Sequence, residues 1–487
     1  MTPDYAGLFS ALRPEISLVL GALLVLGLDL TLYRRHSPGG RLQLALWVGS
    51  LALLTAGFQV WRAEPGTVFG GVLIIDQLAM ASRLGVLGLT LLTFGITQGS
   101  PARRQPAEYV AIMLLAASGL LLMAAAQQLL LAFLALELAS LSLYVLAGFD
   151  RTRPESAEAG LKYFLFGGMA AAFLLFGFSL VYGATGSVEL TEIARQIAAQ
   201  GSNPLLVVGL VMVLVAFGFK VAAAPFHLWA PDVYQGAPAP SAALIASASK
   251  LAGFTLFTRL LWPAFGAAAG SATWLNSGAG WFRAVAALAA VSLVLGNVAA
   301  LAQTSLRRLL AYSAIAHAGA LLLGVLAVGS AGPGPLFYYA LTYGLATVGA
   351  FGVIAVMETA GRCERITDLA GLHRRSPLLA GCLAIFILSL AGIPPLAGFF
   401  GKLTVFSAAL HAGGIRSPAG GLAVLAIALS AVALYYYLMV LKQALVAGPA
   451  DGAPPIKVPR AATLALVTAA ALIVWFGMNP SALLGLF

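Results

Sequence analysis

Four of the six lysines of this chain lie within or at the edge of long apolar segments, at Lys162, Lys220, Lys250 and Lys402. A charged side chain at the centre of a bilayer costs roughly 2.5–3.5 kcal/mol on insertion scales, so four would cost on the order of 10–14 kcal/mol if they faced lipid. These ammonium groups must therefore face a polar interior, pair with acids or lose their charge. Unlike a guanidinium, a buried lysine ammonium can release its proton. We therefore predict that these four lysines bind and release protons.

Three other titratable residues lie in apolar sequence. Glu137 is near the middle of "LLLAFLALELASLSLYVLAGF", and a buried carboxylate keeps its charge beside a lysine, so we predict that it pairs with Lys220. His227 lies in proline-broken sequence and His317 in "RRLLAYSAIAHAGALLLG", and both are predicted to relay protons because imidazole titrates near neutral pH. The alternative for each histidine is a hydrogen-bonded residue of the core. The alternative for a single lysine is a structural ion pair, or a side chain that extends to the lipid headgroups.

The composition predicts an all-α polytopic membrane protein. The chain of 487 residues is 61% hydrophobic and 9% charged, with a mean hydropathy of +0.96, whereas a soluble protein is about 25% charged. Its apolar runs reach the length needed to cross a bilayer. We predict about fourteen transmembrane helices, and we expect the first, near residues 16–32, to be retained rather than cleaved as a signal peptide. Cys363 and Cys382 fit neither a disulfide framework nor a metal or iron–sulfur site.

The spacing of the charged residues predicts an internal repeat. Glu137 precedes Lys220 by 83 residues and His317 precedes Lys402 by 85, so a shift of about 180 residues relates the pairs. Both lysines lie near helix-breaking sequence, "FKVAAAPFHLWAPD" and "LAGIPPLAGFFGK". Interrupted helices at corresponding positions of inverted repeats indicate an ion pathway, and their free backbone groups need water or protein partners.

We therefore predict two inverted five-helix repeats, each a proton half-channel with one broken helix. The predicted ranges are a three-helix segment at 1–105, a first repeat at 106–262, a second repeat at 283–446, and a C-terminal helix at 447–487.

The loop arginines and lysines predict the orientation in the membrane. With fourteen spans, one set of alternate loops holds 16 basic residues and the other holds 5. The larger set comprises Arg34, Arg35, Arg41, Arg103, Arg104, Arg151, Arg153, Arg307, Arg308, Arg362, Arg365, Arg374, Arg375, Lys442, Lys457 and Arg460. Because basic loops face the cytoplasm, both termini are predicted to be outside. The net charge of +10 thus arises mostly from basic residues in the loops that are predicted to be cytoplasmic, and it gives no reason to expect a nucleic-acid partner.

Several motifs resemble a known family over essentially the whole chain. "PDVYQGAPAP", "RRLLAYSAIAHAG", "AGIPPLAGFFGK" and "ALELASLSLYVLAGF" resemble the N-subunit family of proton-pumping NADH:quinone oxidoreductase, respiratory complex I. The related L- and M-type subunits share the broken-helix lysine but usually differ after the "PD". The M type typically has glutamate at the position of Lys402, and the L type has a long C-terminal amphipathic helix, whereas this sequence ends at Phe487.

The resemblance implies a role for each candidate residue. Glu137 and Lys220 would be the input pair, Lys250 the central relay, Lys402 the second-half channel lysine and Lys162 a modulating base, with His227 and His317 along the hydrated axis. It implies a non-redox subunit of a translocase in the cell membrane, which binds no cofactor itself. NADH, FMN, iron–sulfur clusters and quinone are expected in partner subunits. The implied partners are an M-type subunit, small K-, J- and A-type subunits and the lipid bilayer.

Three alternatives remain at this point. The first is a subunit of a secondary cation/proton antiporter, which "PDVYQGAPAP" disfavours. The second is a subunit of a related ferredoxin-driven, quinone-reducing complex. The third is a structural scaffold, for which four lysines in apolar sequence would have no purpose.

Overall fold

A computed structural model describes residues 5–97, 104–270, 280–361, 363–449 and 454–487, and helices dominate it. The first ten helices are α1 (Tyr5–Ala11), α2 (Arg13–Thr31), α3 (Pro38–Trp61), α4 (Gln77–Ile96), α5 (Pro106–Ala125), α6 (Leu129–Ala147), α7 (Pro154–Thr185), α8 (Leu190–Gln200), α9 (Pro204–Lys220) and α10 (Trp229–Gly236). The next are α11 (Ala239–Ala246), α12 (Ala248–Arg259), α13 (Trp281–Leu301), α14 (Leu306–Ala331), α15 (Gly334–Ala360), α16 (Leu372–Arg375), α17 (Pro377–Ala391), α18 (Ala397–Gly413), α19 (Pro418–Leu445), α20 (Arg460–Met478) and α21 (Ser481–Leu484).

The predicted all-α membrane fold is confirmed. Within the described ranges, twelve helices are long and apolar enough to cross a membrane, and two shorter apolar helices are α9 and α17. Together they account for the fourteen predicted spans. Helices α11 and α12 form one of these spans with a π-helical turn at Leu260–Ala264. One small departure from the prediction is an antiparallel hairpin of β1 (Gly66–Val68) and β2 (Leu73–Ile75) between α3 and α4.

Local sequence sets where many of these helices begin. Proline occupies the first helical position of α5, α7, α9, α17 and α19, where its missing N–H leaves no hydrogen bond unmade. Asn203 accepts a hydrogen bond from the Leu206 N–H at 2.8 Å and caps α9. Asp76 caps α4 in the same way. Such capping fixes the ends of the helices that carry the candidate site.

The helices with candidate residues differ in how deeply they are buried. The span of α11 and α12 is entirely surrounded by other helices, and α14 and α15 are nearly so. At the periphery, α3, α7 and α19 bury a third or slightly more of their most apolar stretch. Their outward faces carry large apolar side chains such as Trp47, Phe164 and Ile427, which suits contact with lipid. Lys250 and His317 therefore lie on the innermost helices.

Besides the break at Ser247 between α11 and α12, two spans are interrupted, as predicted, and both of these interruptions begin with the same helix-ending motif. The Ala223 N–H donates to the Gly218 carbonyl at 2.8 Å after α9, and the Ile393 N–H donates to the Leu388 carbonyl at 3.1 Å after α17. The residue before each donor is left-handed, Ala222 at φ +59° and Gly392 at φ +89°. This hydrogen-bond pattern is the Schellman cap. It aligns position 222 with position 392.

Matching contacts also relate α5 and α6 to α13 and α14. The Leu129 N–H donates to the Val188 carbonyl at 2.8 Å, and the Leu306 N–H donates to the Glu364 carbonyl at 3.2 Å. A methyl group on Gly119 would collide with the backbone of Ala139, and one on Gly296 would collide with Ala316 in the same way. These close approaches align Ala139 with Ala316 and support the internal repeat.

The residue equivalences inferred from spacing are therefore wrong in detail. The close approach of the helices places Ser140, and not Glu137, at the position of His317. The Schellman caps place Asp232, and not Lys220, at the position of Lys402. Lys220 precedes its break, whereas Lys402 follows its break. The domain boundaries at 1–105, 106–262, 283–446 and 447–487 stay predictions.

Buried arginines in the N-terminal segment and at its border form ion pairs. Arg83 on α4 pairs with Glu15 on α2, and Arg259 on α12 pairs with Asp76 and also donates to the Ala124 carbonyl at 2.9 Å. Removing one partner of a buried pair costs about 3–5 kcal/mol. These pairs join α2, α4, α5 and α12, which is the structural role expected of such residues.

With fourteen crossings, both chain ends are predicted to lie on one face of the membrane. Helix α1 packs on β1, and Phe487 packs on Phe337 near the turn before α15. Which face is outside remains the prediction made from the basic loops. Arg103 and Arg362, which contributed to it, lie outside the described residues.

Cysteine labelling tests this orientation. In a variant whose native Cys363 and Cys382 are replaced, Arg195→Cys should react with a membrane-impermeant maleimide added to intact cells. Arg365→Cys should react only after the cells are opened. Both side chains are exposed, so the two variants control for each other. Labelling of position 365 alone in intact cells would reverse the orientation.

Candidate functional site: a row of buried lysines

Lys220 is the last residue of α9 and is only 4% exposed. Its Nζ donates to the Ser140 hydroxyl of α6 at 3.0 Å. Its side-chain stem passes Gly253 of α12, where a methyl group would lie 3.6 Å from the Lys220 Cγ. A small cavity between α6, α7 and α9 adjoins the ammonium, and Tyr144 also lines it. Lys220 is thus buried against neutral oxygen and a cavity.

Glu137 lies one helical turn before Ser140 on α6 and interacts electrostatically with Lys220. The two side chains do not form the direct ion pair that the sequence predicts, since no described acid lies within 4.0 Å of the Lys220 ammonium. The Ser140 hydroxyl takes that place. One carboxylate oxygen of Glu137 is buried and has no hydrogen-bond partner among the described residues. Glu137 is therefore a neighbour of Lys220 and not its contact partner.

Lys250 on α12 links the two halves of the chain. It is 2% exposed, and its Nζ donates to the Ala314 carbonyl of α14 at 2.6 Å. The ammonium also lies 5.5 Å from the ring centre of Tyr343 on α15, within range of a cation–π interaction. Across the described ranges, no carboxylate lies within ion-pair distance of it. The ammonium is held by a carbonyl and an aromatic face.

His317 lies one turn after Ala314 on α14, and two tyrosines hold its ring. Its Nδ1 is 2.6 Å from the Tyr339 hydroxyl, and its Nε2 is 3.1 Å from the Tyr437 hydroxyl. Its electrostatic neighbours are Lys250 and Lys402. Both ring nitrogens therefore contact groups that can donate or accept a proton. Sequence reasoning missed the two tyrosines, although "LFYYALTYG" and "ALYYYLM" carry them as clusters in apolar sequence.

Lys402 on α18 uses the broken backbone of its own span. Its Nζ donates to the Ala391 carbonyl at 2.8 Å, at the last residue of α17, where a helix end leaves carbonyls unpaired. Gly392 leaves room for the side chain, since a methyl group there would lie 3.0 Å from the Lys402 Cδ. The lysine lines a small, partly open cavity, together with His317 and Tyr339. Lys402 and His317 thus share one cavity.

His227 lies in the interruption between α9 and α10 and is 6% exposed. Its Nδ1 is buried and has no hydrogen-bond partner among the described side chains and backbone. The break that carries it is anchored by the Ala224 N–H, which donates to the Ser292 hydroxyl of α13 at 2.8 Å. The structure gives His227 no hydrogen bond to any of the lysines. Its role in a relay stays a prediction.

Lys162, near the start of α7, forms the ion pairs that are the alternative interpretation of a single lysine in apolar sequence. Its side chain is 37% exposed, and its Nζ lies 2.6 Å from carboxylate oxygens of both Glu158 and Asp232. Asp232 is 70 residues away in the chain, so spacing on α7 gave no sign of this contact. Lys162 therefore belongs to a network of charges separate from the buried lysines.

The arrangement of lysines, hydroxyls and carbonyls suits proton transfer. Over the described ranges, no three His, Cys, Asp or Glu side chains come close enough to hold a metal ion. Burial raises the pKa of the Cys363 thiol, in the segment after α15, to about 12, so this thiol stays protonated. The buried lysines, by contrast, meet hydroxyl and carbonyl oxygens beside two cavities.

Comparisons with known proteins place the chain among membrane subunits of respiratory complexes. Residues 126–426 match the family described as "NADH:quinone oxidoreductase/Mrp antiporter, TM". NADH-quinone oxidoreductase subunit N 2 of Acidobacterium capsulatum is 46% identical, over 99% of this chain and 98% of that protein. NADH-quinone oxidoreductase subunit N 1 of Roseiflexus castenholzii is 39% identical, over 97% and 96%.

Solved structures share the fold. A chain of respiratory complex I from Thermus thermophilus with bound aureothin is 36% identical, with a TM-score of 0.81, over 97% of this chain and 99% of that chain. A chain of the Mrp complex from Dietzia sp. is 21% identical, with a TM-score of 0.80, over 100% and 96%. The second likeness is one of fold alone.

The contact between Gly392 and Lys402 yields a stability prediction. Gly392→Ala should destabilise the protein by about 1–2 kcal/mol because a left-handed φ is unfavourable for alanine, and crowding of Lys402 adds to this. Gly381→Ala, in the same helix with open space around it, should stabilise slightly, by about 0.5–1 kcal/mol. Thermal denaturation in native membranes measures both.

The same substitution in a Lys402→Ala background isolates the crowding. Gly392→Ala should cost less there, because the methyl group no longer meets the lysine side chain. An equal cost in both backgrounds would show that the two residues do not constrain each other.

Proposed function

The chain belongs to the NADH:quinone oxidoreductase/Mrp antiporter transmembrane family, and we propose that it serves as the N-type, proton-translocating membrane subunit of an NADH:quinone oxidoreductase. One observation carries the proposal beyond family membership. The buried ammonium of Lys250 reaches across to α14, the helix that holds His317, and His317 shares a cavity with Lys402. Titratable groups thus continue from the first half of the chain into the second.

The proposed path runs from Lys220 through Lys250 and His317 to Lys402. A lysine held by neutral oxygen, in a site with little water, keeps its proton less firmly than one in water, so each ammonium can release a proton to a neighbouring acceptor. A charge that arrives at one site disfavours a second like charge nearby, so loading one lysine promotes release from the next. In this scheme Glu137 favours the charged state of Lys220 through space.

Two tyrosines and two cavities would complete the path. Tyr339 and Tyr437 can pass a proton to or from the His317 ring, because each hydroxyl both donates and accepts. The cavities beside Lys220 and Lys402 each have room for about one water molecule, which would bridge groups not in direct contact. His227 would join the path through water in the broken segment, and Lys162 would act on it electrostatically.

The energy for this transport would come from partner subunits. The subunit itself would carry out no redox step, and NADH, FMN, iron–sulfur clusters and quinone would lie in its partners. Those partners would include an M-type antiporter-like subunit and small K-, J- and A-type subunits. The complex would lie in the cell membrane, with both termini of this subunit outside.

The second candidate is a subunit of a secondary cation/proton antiporter, since the family description covers Mrp antiporters and the fold matches the Mrp complex chain. Two observations favour the oxidoreductase. Subunits N are 39–46% identical over nearly the whole chain, whereas the Mrp complex chain is 21% identical.

Variants at Glu137 and Lys220 test the proposed path. Glu137→Gln and Lys220→Ala should each lower the number of protons moved per electron while the complex still assembles. The double variant should be no worse than the worse single variant, because the two groups act as one unit. Proton uptake by membrane vesicles during NADH:quinone oxidoreduction measures the ratio.

Lys220→Arg distinguishes the effect of the positive charge on pumping from the effect of proton release. It keeps the positive charge but holds its proton at any working pH, so it should assemble and pump poorly. Additive losses in the double variant, or normal pumping by Lys220→Arg, would exclude Glu137 and Lys220 as a proton-loading unit.

A further inference from the structure

Asp232 on α10 joins three helices through one carboxylate. Its Oδ2 accepts from the Lys162 Nζ of α7 at 2.6 Å, and its Oδ1 accepts from a guanidinium nitrogen of Arg308 on α14 at 2.8 Å. The same Arg308 nitrogen donates to the Gln235 side-chain oxygen at 3.0 Å. Helices α7 and α10 lie in the predicted first repeat, and α14 lies in the second. The carboxylate of Asp232 therefore holds α10, the short part of the broken helix, between the two predicted repeats.

The neighbouring Arg307 fixes the other end of α10. It is 3% exposed and donates to the carbonyls of Gln235 at 3.1 Å and Ala237 at 2.6 Å, which the end of α10 leaves free. Its guanidinium also pairs with Glu358 of α15. The carboxylates of the two contacts are similarly exposed, Glu358 at 26% and Asp232 at 29%, but Arg307 is buried whereas Arg308 is 30% exposed.

The placement of α10 depends on such contacts because the helix is too short to be stable alone. It has eight residues and follows an interruption at 221–228, whereas isolated helices below about 12–15 residues are marginal in water. Trp229 stacks on Tyr163 of α7 at 4.4 Å, which holds α10 to the first half. The arginines of α14 hold it to the second. Helix α10 follows the Lys220 break and precedes the span of Lys250, so its position affects both lysines.

The internal repeat gives Asp232 a second significance. It lies ten residues after the left-handed Ala222, as Lys402 lies ten residues after the left-handed Gly392. The first repeat thus has a carboxylate bonded to two cations where the second has a buried lysine beside a cavity. A carboxylate between two cations is stabilised as the anion and exchanges its proton poorly. Its position and partners suit a fixed charge better than a proton carrier.

We propose that Asp232 is a positioning residue, an anionic clamp that couples the broken helix of the first half to helix α14 of the second. Lys162 acts on proton transport through this clamp, by its charge and not by releasing a proton. This inference rests on the proposed function and adds a structural coupling between the Lys220 and His317 sites. It also gives the Lys162 side chain a role that its half-exposed position can fulfil.

Four variants of the intact complex test the clamp. Asp232→Asn and Lys162→Met break it, Lys162→Arg keeps its charge, and Glu158→Gln is the matched control because it removes only the other, more exposed partner of Lys162. Hydrogen exchange of residues 229–238 in the purified complex reports how firmly α10 is held. The proton-to-electron ratio in membrane vesicles reports coupling.

The two clamp-breaking variants should raise exchange in residues 229–238 about fivefold, which corresponds to about 1 kcal/mol, and should lower the proton-to-electron ratio. Lys162→Arg and Glu158→Gln should stay close to the parental complex in both measurements. The clamp would be overturned by any one of three results. These are unchanged hydrogen exchange in Asp232→Asn, faster exchange together with the parental proton-to-electron ratio in the clamp-breaking variants, and loss of pumping by Lys162→Arg. Pumping by the parental complex, with its loss in Lys220→Arg, checks the proposed function separately.

Discussion

The cost of burying an ammonium group among apolar helices governs this structure. Lys220 and Lys250, which are buried, and Lys402, which is partly buried, meet that cost with neutral oxygens, from the Ser140 hydroxyl and the Ala314 and Ala391 carbonyls. The buried guanidiniums of Arg83 and Arg259 instead meet carboxylates. A neutral oxygen compensates a positive charge less completely than an anion does. The arginine pairs therefore suit permanent charges, and the lysine sites suit charges that come and go.

The backbone supplies two of those three oxygens, so the contacts of Lys250 and Lys402 depend on where the helices run and end. The Ala391 carbonyl is free because α17 ends there, and Gly392 allows the chain to turn while Lys402 folds back on it. The Ala314 carbonyl belongs to α14, whose burial brings it to Lys250. The broken spans and the innermost helices thus provide polar contacts in a region without ion pairs. A straight helix in place of α17 and α18 would leave Lys402 without its acceptor.

Much of this arrangement follows from the sequence, because membrane spans and buried charges both leave strong signals. Hydropathy gave all fourteen spans, and lysine in apolar sequence identified Lys220, Lys250 and Lys402. The contacts between helices left weaker signals. Tyr339 and Tyr437 were missed because tyrosine is common in apolar helices, and the contact of Lys162 with Asp232 was missed because the two residues are distant in sequence. Equal spacing misaligned the repeats, because Lys220 precedes the break in its repeat and Lys402 follows the break in its own.

In the proposed path, a proton passes between the two halves of the chain at Lys250. The proton-to-electron ratio of membrane vesicles that carry Lys250→Met in the intact complex tests this step, with the amount of assembled complex measured alongside. Methionine fills a similar volume but can hold no proton, so we expect an assembled complex that oxidises NADH and moves fewer protons per electron. An assembled Lys250→Met complex with the parental ratio would exclude Lys250 from the path.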